Sequence, residues 1–199
     1  MKRILAYPQV FDLYQNLVGV RKYLNMFVNE FFQVKKGISI LDLGCGTASI
    51  LPLLDNEIEY TGVDFSQKYI DYAKRKYPNY TFFCSDICNR VSLNGQFDVI
   101  ISEGVMVALT DEELVRMFRN IVINSNKNTR IILSDSNYKE SGSRLEKFFL
   151  NNQRYKNFRT RDDYIKLIEQ FFNIRRIMEF EKVYRIPYSK IVFECSVKD

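Results

Sequence analysis

Apolar residues in the first half of the chain fall into short runs that end on glycines or acids. Ile38, Ile40, Leu41 and Leu43 form a run of the kind buried in the middle of a parallel sheet, and it passes straight into Gly44-Cys45-Gly46. Tyr60-Thr61-Gly62-Val63 is a second run, closed by Asp64, and Tyr80-Thr81-Phe82-Phe83-Cys84 a third, followed by Ser85-Asp86. Phe97–Ser102 and Arg130–Leu133 read as the fourth and fifth strands, the fifth ending near Asp135. Residues 174–184 and 189–197 alternate as two more, with Ile191, Phe193, Cys195 and Val197 on one face. Only a short link carrying Pro187 separates these two, so they pair antiparallel; a parallel pair needs a long crossover.

Between the runs the period changes to that of helices. Val10, Leu13, Tyr14 and Leu17, then Tyr23, Leu24, Phe27, Val28 and Phe31, predict two helices broken at Gly19 that precede the sheet and cover its ligand end. Residues 47–54 suit the start of a helix whose free amides point at a ligand. Thr110-Asp111-Glu112-Glu113 is a capping box, and Leu114, Met117, Phe118, Ile121 and Val122 form the core face of the helix it opens. A further helical pattern covers 160–172, with Thr160 placed to cap it and Asp162 and Asp163 in its first turn. Strands alternating with helices, without an internal repeat or low-complexity linker, make an α/β chain of one domain over 1–199.

The chemistry is concentrated where strands end. Gly44 and Gly46 let the backbone turn sharply and approach a ligand that a Cβ would hold off. Asp42, Asp64 and Asp86 each fall at or near the carboxyl end of a strand, and an acid at the tip of the second strand can accept bonds from both hydroxyls of a nucleoside ribose. The competing reading makes the three acids helix caps in an ordinary α/β domain.

This constellation resembles the class I S-adenosylmethionine-dependent methyltransferases, in particular small bacterial stand-alone members, whose tails carry a stretch similar to Arg185-Ile186-Pro187-Tyr188. The family's first motif is similar to Asp42-Leu43-Gly44-Cys45-Gly46-Thr47-Ala48, with Ala48 standing where the family often has a third glycine. The resemblance covers residues 38–135 with specific motifs. It implies a Rossmann-like, mostly parallel seven-stranded sheet with helices on both faces and a reversed strand near the C-terminus. It further implies S-adenosyl-L-methionine as cofactor, with Gly44, Cys45 and Gly46 facing its methionine part, Asp64 on the ribose, and Ser85, Asp86 and Ile87 flanking the adenine, Asp86 bonding the exocyclic amine. Asp42, Phe65 and Glu103 complete the implied cofactor site. A nicotinamide-dependent oxidoreductase also uses a glycine turn and a ribose acid, but its pattern wants glycine or alanine where Ser49 stands, and the acid at Asp42 is a methyltransferase mark. By the family's motif habits, the absence of Asn/Asp-Pro-Pro-aromatic and of Pro-Cys after the fourth strand argues against methylation of adenine amino groups and of cytosine carbon in nucleic acid.

Composition sharpens this only in places. With 46% hydrophobic and 27% charged residues the chain suits a compact soluble domain. No apolar run approaches the ~20 residues of a membrane span, and the start leads into no signal-peptide core. Four cysteines, at 45, 84, 88 and 195, show no paired spacing, which points to a reduced, cytoplasmic protein without a zinc site. The chain has no histidine, so the usual base near neutral pH is missing and transfer is expected to rest on positioning. Glu103 is the first candidate to line the transfer site, or else a capping or cofactor-orienting residue, with Asp135 and Tyr7 as second candidates.

The charge is uneven. Lys139 to Arg161 holds seven basic and two acidic residues, an excess of +5 that equals that of the whole chain, so the rest is balanced. This run is either a solvated face or an anion-recognising lid on the acceptor side, where Arg154, Arg159 and Arg161 suit phosphate or carboxylate. The expected layout is therefore a helical cap over 1–35 and an acceptor-side insertion over 136–161. The acceptor is expected to be small or carrier-linked and anionic, methylated on oxygen or nitrogen. RNA is the alternative partner, with Tyr155 and Phe158 as stacking residues.

Overall fold

The fold was obtained as a computed structural model, which describes residues 6–32, 37–54, 57–89, 93, 96–139, 157–181, 183–185 and 189–198. Seven strands form one sheet: β1 (Ser39–Leu43), β2 (Glu59–Asp64), β3 (Thr81–Cys84), β4 (Val99–Glu103), β5 (Arg130–Asn137), β6 (Phe172–Phe180) and β7 (Ser189–Val197). Their order is β3-β2-β1-β4-β5-β7-β6, all parallel except β7, which runs antiparallel to both neighbours. The mostly parallel sheet with one reversed strand is the layout that the family resemblance implied.

Alternation along the strands sorts the core into two layers. Ile40, Tyr60, Val99, Ile101, Ile132 and Val192 pack on one face beneath α2 (Val20–Phe31) and α3 (Gln67–Lys76). Leu41, Leu43, Ile100, Ile131, Leu133 and Phe193 pack on the other beneath α4 (Asp111–Ile123) and α5 (Arg161–Ile168). The capping box at Thr110 is present with both of its bonds, and Thr160 pairs with Asp163 in the same way at the start of α5.

Val122, expected on the core face of α4, is instead exposed, and two larger local expectations fail. Residues 47–54 do not begin an α-helix: they form turns and a single 3₁₀ turn, Leu51–Leu53. Pro52 explains this, because within a helix begun at Thr47 its ring would clash and its missing N–H would break the ladder. Ala48 moreover adopts a left-handed φ of 55°. The second concerns α1 (Pro8–Val18), whose apolar stripe was expected to be its packing face. Leu13 and Leu17 are instead 59% and 60% exposed, and the helix is held on another side. There Phe11 stacks on Tyr69 of α3 at 5.3 Å, and Asp12 accepts bonds from Thr47, Tyr72 and Lys76. Hydrophobic spacing cannot reveal a contact made by one ring and one carboxylate.

Candidate active site

The glycine turn is fastened to the second strand rather than to a helix. Val63 O accepts from the amides of both Gly44 and Cys45, at 2.7 and 3.0 Å. The Asp64 carboxylate then accepts from Gly46 N at 3.0 Å and from Ser66 N at 2.8 Å. Gly44 has a φ of +84°, and a Cβ there would lie 2.3 Å from Val105 Cγ2, so the loop after β4 rests directly on the turn. Gly62 serves the same packing, since a Cβ on it would come within 2.8 Å of Cys45 Sγ. Cys45 is buried, and that burial holds its thiol well above the ordinary range, so it packs rather than reacts.

The loop after β3 is also built from local bonds. Asp86 accepts from Cys88 N at 2.9 Å and from Asn89 Nδ2 at 3.2 Å, which closes a turn over 86–89. Asn120 of α4 donates to Ile87 O at 2.6 Å, pinning this turn to the helix. Ser85 N donates to Asp64 O at 3.0 Å, so the second and third strand ends are joined. Phe65 is 66% exposed immediately beyond Asp64, an apolar ring of the kind that covers a base.

Between β4, β5 and β7, strand parity brings a second set of groups together on the α2 face. Glu103 ends β4, and Lys190 of β7 donates to its Oε1 at 2.5 Å. The Lys190 ammonium lies 5.3 Å from the centre of the Tyr23 ring, and the Tyr23 hydroxyl is bonded to Ser134. Lys190 is almost fully buried; burial pulls its basicity down, but the Glu103 and Asp135 charges more than offset this and keep it protonated. Asp42, on the same face, accepts from Tyr60 at 2.6 Å. Burial pushes Asp42 up to about 7; the Tyr60 bond opposes this, and the Glu103 and Asp64 charges add to it.

The structure thus gathers Asp42, Gly44, Cys45, Gly46, Asp64 and Glu103 at the carboxyl edge of the sheet, with Phe65, Ser85, Asp86 and Ile87 following β2 and β3. Three carboxylates against the ammonium of Lys190, a left-handed turn at Gly44 and Gly46, and an exposed ring beside Asp64 fit a nucleoside ligand that carries positive charge.

Other expected residues lie elsewhere. Asp135 is fully buried and faces the α4/α5 layer, accepting from Val107 N at 2.8 Å and from its neighbour Ser136 N at 2.6 Å. Its carboxylate holds the loop after β4 in place, and burial raises its pKa despite Lys190 and these amides. Tyr7 is 57% exposed at the start of α1, with the Lys68 ammonium 5.1 Å from its ring centre. Arg159 is not an acceptor ligand. Its five N–H donors go to Asp111 Oδ1 (two), Met106 O, Leu109 O and Asn157 O, and it is only 6% exposed. Arg161 opens α5 and is exposed, whereas Arg154, with Tyr155, lies outside the described residues. Lys139 pairs with Glu179 and Glu181 at 2.8 and 2.7 Å.

Sequence reasoning missed Lys190, Tyr23, Phe11, Asp12 and Asn120. Lys190 had a signal: it shares strand parity with the inward-facing Val192, and a lysine at a core position demands a partner.

Comparisons with known proteins agree with this geometry. A family model described as "Methyltransferase domain" matches residues 40–124. The malonyl-[acyl-carrier protein] O-methyltransferase of Bacillus anthracis is 31% identical over 126 residues, which is 60% of this chain and 46% of that protein. The chain thus spans less than half the length of the curated relatives it matches. Among solved structures, an S-adenosylmethionine-dependent methyltransferase from Clostridium acetobutylicum superposes with a TM-score of 0.71 at 14% identity, covering 96% of this chain and 98% of that one. The magnesium protoporphyrin IX methyltransferase of Synechocystis, solved with bound S-adenosylhomocysteine, gives 0.65 at 22% identity, covering 90% and 81%.

Proposed function

The chain belongs to the class I S-adenosylmethionine-dependent methyltransferases, and from that premise we propose that it methylates a carboxylate oxygen of a small or carrier-linked acid. The nicotinamide alternative falls away with the family. Nucleic acid loses its main support among the described residues, since Lys139 is paired and Arg159 is spent on carbonyls and Asp111.

One observation carries the proposal: the acids at the sheet edge are already engaged. Glu103 is held by Lys190, Asp135 by two amides and Asp42 by Tyr60, and the chain has no histidine. S-adenosylmethionine, when bound, supplies a methyl group that is electrophilic by virtue of its sulfonium. An acceptor for such a site must arrive as a nucleophile, and a carboxylate, ionised at neutral pH, needs no base. What the protein then supplies is orientation: Asp64 and the glycine turn hold one partner, and the loop 103–107 resting on Gly44 borders the other. The name of the Bacillus anthracis relative, which specifies a carrier-linked acid and an oxygen, supports the same class.

The test is transfer from methyl-labelled cofactor to a panel of malonyl thioesters on an acyl-carrier protein, free dicarboxylic acids, amines and RNA. Label on an acid that mild alkali releases as methanol supports the proposal, because esters hydrolyse where N-methyl and ether groups do not. Alkali-stable label, or label on RNA, contradicts it.

A further inference from the structure

The Glu103–Lys190 pair joins β4 to β7, strands that are not neighbours, across the intervening β5. A lysine ammonium buried this deeply is costly, and a core at this position could have been filled by an aliphatic residue like Val192 two positions on. The two ends of the pair differ: the Lys190 side chain is 5% exposed, that of Glu103 22%. The carboxylate is therefore the open end of the pair and the ammonium its buried support, roofed by the Tyr23 ring of α2. Gly104, next to Glu103, takes a left-handed φ of +71°, and its amide is bonded to Ser134 O at 2.8 Å, so the backbone that presents Glu103 is fixed as well.

Resting on the methyltransferase reading, we propose that Lys190 is a positioning residue that keeps Glu103 an oriented anion at the sheet edge, where it favours the cationic cofactor over its uncharged-sulfur product. On the α2 face Glu103 lies with Asp42 of β1, Lys190 of β7 and Tyr23 of α2, with Asp64 of β2 beyond Asp42, and the charge of Asp135 of β5 acts on it from the other face of the sheet. Lys190 is the cation of that set. Without it Glu103 would be left among carboxylates with no partner to aim its open oxygen.

The experiment is calorimetric binding of S-adenosylmethionine and S-adenosylhomocysteine, at one pH, to wild type, Lys190→Met, Lys190→Arg, Glu103→Gln and the Lys190→Met/Glu103→Gln double variant, each checked for folding by circular dichroism. In Lys190→Met, the carboxylate without its support should lower the ratio of the two affinities about tenfold. Lys190→Arg, a cation whose planar fork does not fit the place of the ammonium, should lower it about threefold. The double variant should match Glu103→Gln alone, since the lysine acts through that carboxylate. The wild-type ratio in Lys190→Met, or a further loss in the double variant, overturns the inference. Should Lys190→Met not fold, Lys190→Arg decides: a ratio lowered about threefold supports it, and an unchanged ratio overturns it. If wild type binds neither ligand, it is the methyltransferase reading that fails instead.

Discussion

Around β1 and β2 the contacts that shape the edge are made nearby in sequence. Gly46 to Asp64 and Tyr60 to Asp42 each span 18 positions, and Asp86 closes its own turn two and three residues on. Around β4, β5 and β7 the edge is assembled from distant parts: Lys190 meets Glu103 across 87 positions, Tyr23 meets Ser134 across 111, and Arg159 meets Asp111 across 48. In the proposed reading the near set holds the cofactor, and its spacing is a motif. The far set, in the same reading, borders the acceptor, and its partners come together only when the sheet has closed.

The largest effect should come from Asp42, where the near set touches the far one. Its folded pKa of about 7 lies above the unfolded value near 3.8, so between these limits the folded state binds the extra proton. Stability should therefore fall as pH rises from about 4 to about 7, by on the order of 4 kcal/mol over the window. Denaturant melts of wild type and Asp42→Asn at intervals across that range check this: the difference between them should grow with pH, and a constant difference would refute it.

Next is Arg159→Met. Removing the guanidinium leaves the carbonyls of Met106, Leu109 and Asn157 without their donor, at a cost of about 3 kcal/mol. Had Arg159 been an acceptor ligand, the same variant would lose acceptor affinity with its stability intact.

These two residues also show what the sequence could reveal. Asp42, Gly44, Gly46 and Asp64 were legible because a turn and two strand ends recur at fixed spacing. The antiparallel pairing of β6 with β7 was legible from one short link, whereas the mostly parallel sheet with one reversed strand followed from the family resemblance. Arg159 was misread because charge density says nothing about where a guanidinium points; only the fold shows that it turns inward to carbonyls. Leu13 and Leu17 were misread because apolar spacing marks a stripe, not what covers it. Lys190 was passed over as one more base, although its parity on β7 placed it inside.

A smaller effect is expected from Gly44→Ala combined with Val105→Ala. Gly44→Ala alone should cost about 3 kcal/mol, part strain at its positive φ and part collision with Val105. Because Val105→Ala frees the space but not the φ, the pair should recover about half of the collision relative to the sum of the two single changes, as a double-mutant cycle in urea would show. Smallest is Tyr23→Phe, which removes one buried hydrogen bond from the far set. It should cost about 1 kcal/mol, a fall of roughly 2–4 °C in Tm.

The most direct test of the division between the two sets is calorimetric titration of S-adenosylhomocysteine into wild type, Asp64→Ala and Arg159→Met, at a temperature where all three are folded. On the proposed ribose assignment, Asp64→Ala should weaken binding about tenfold or more. Arg159→Met, although the less stable protein, should stay within about twofold of wild type. Unchanged affinity in Asp64→Ala, or a tenfold loss in Arg159→Met alone, would contradict the account.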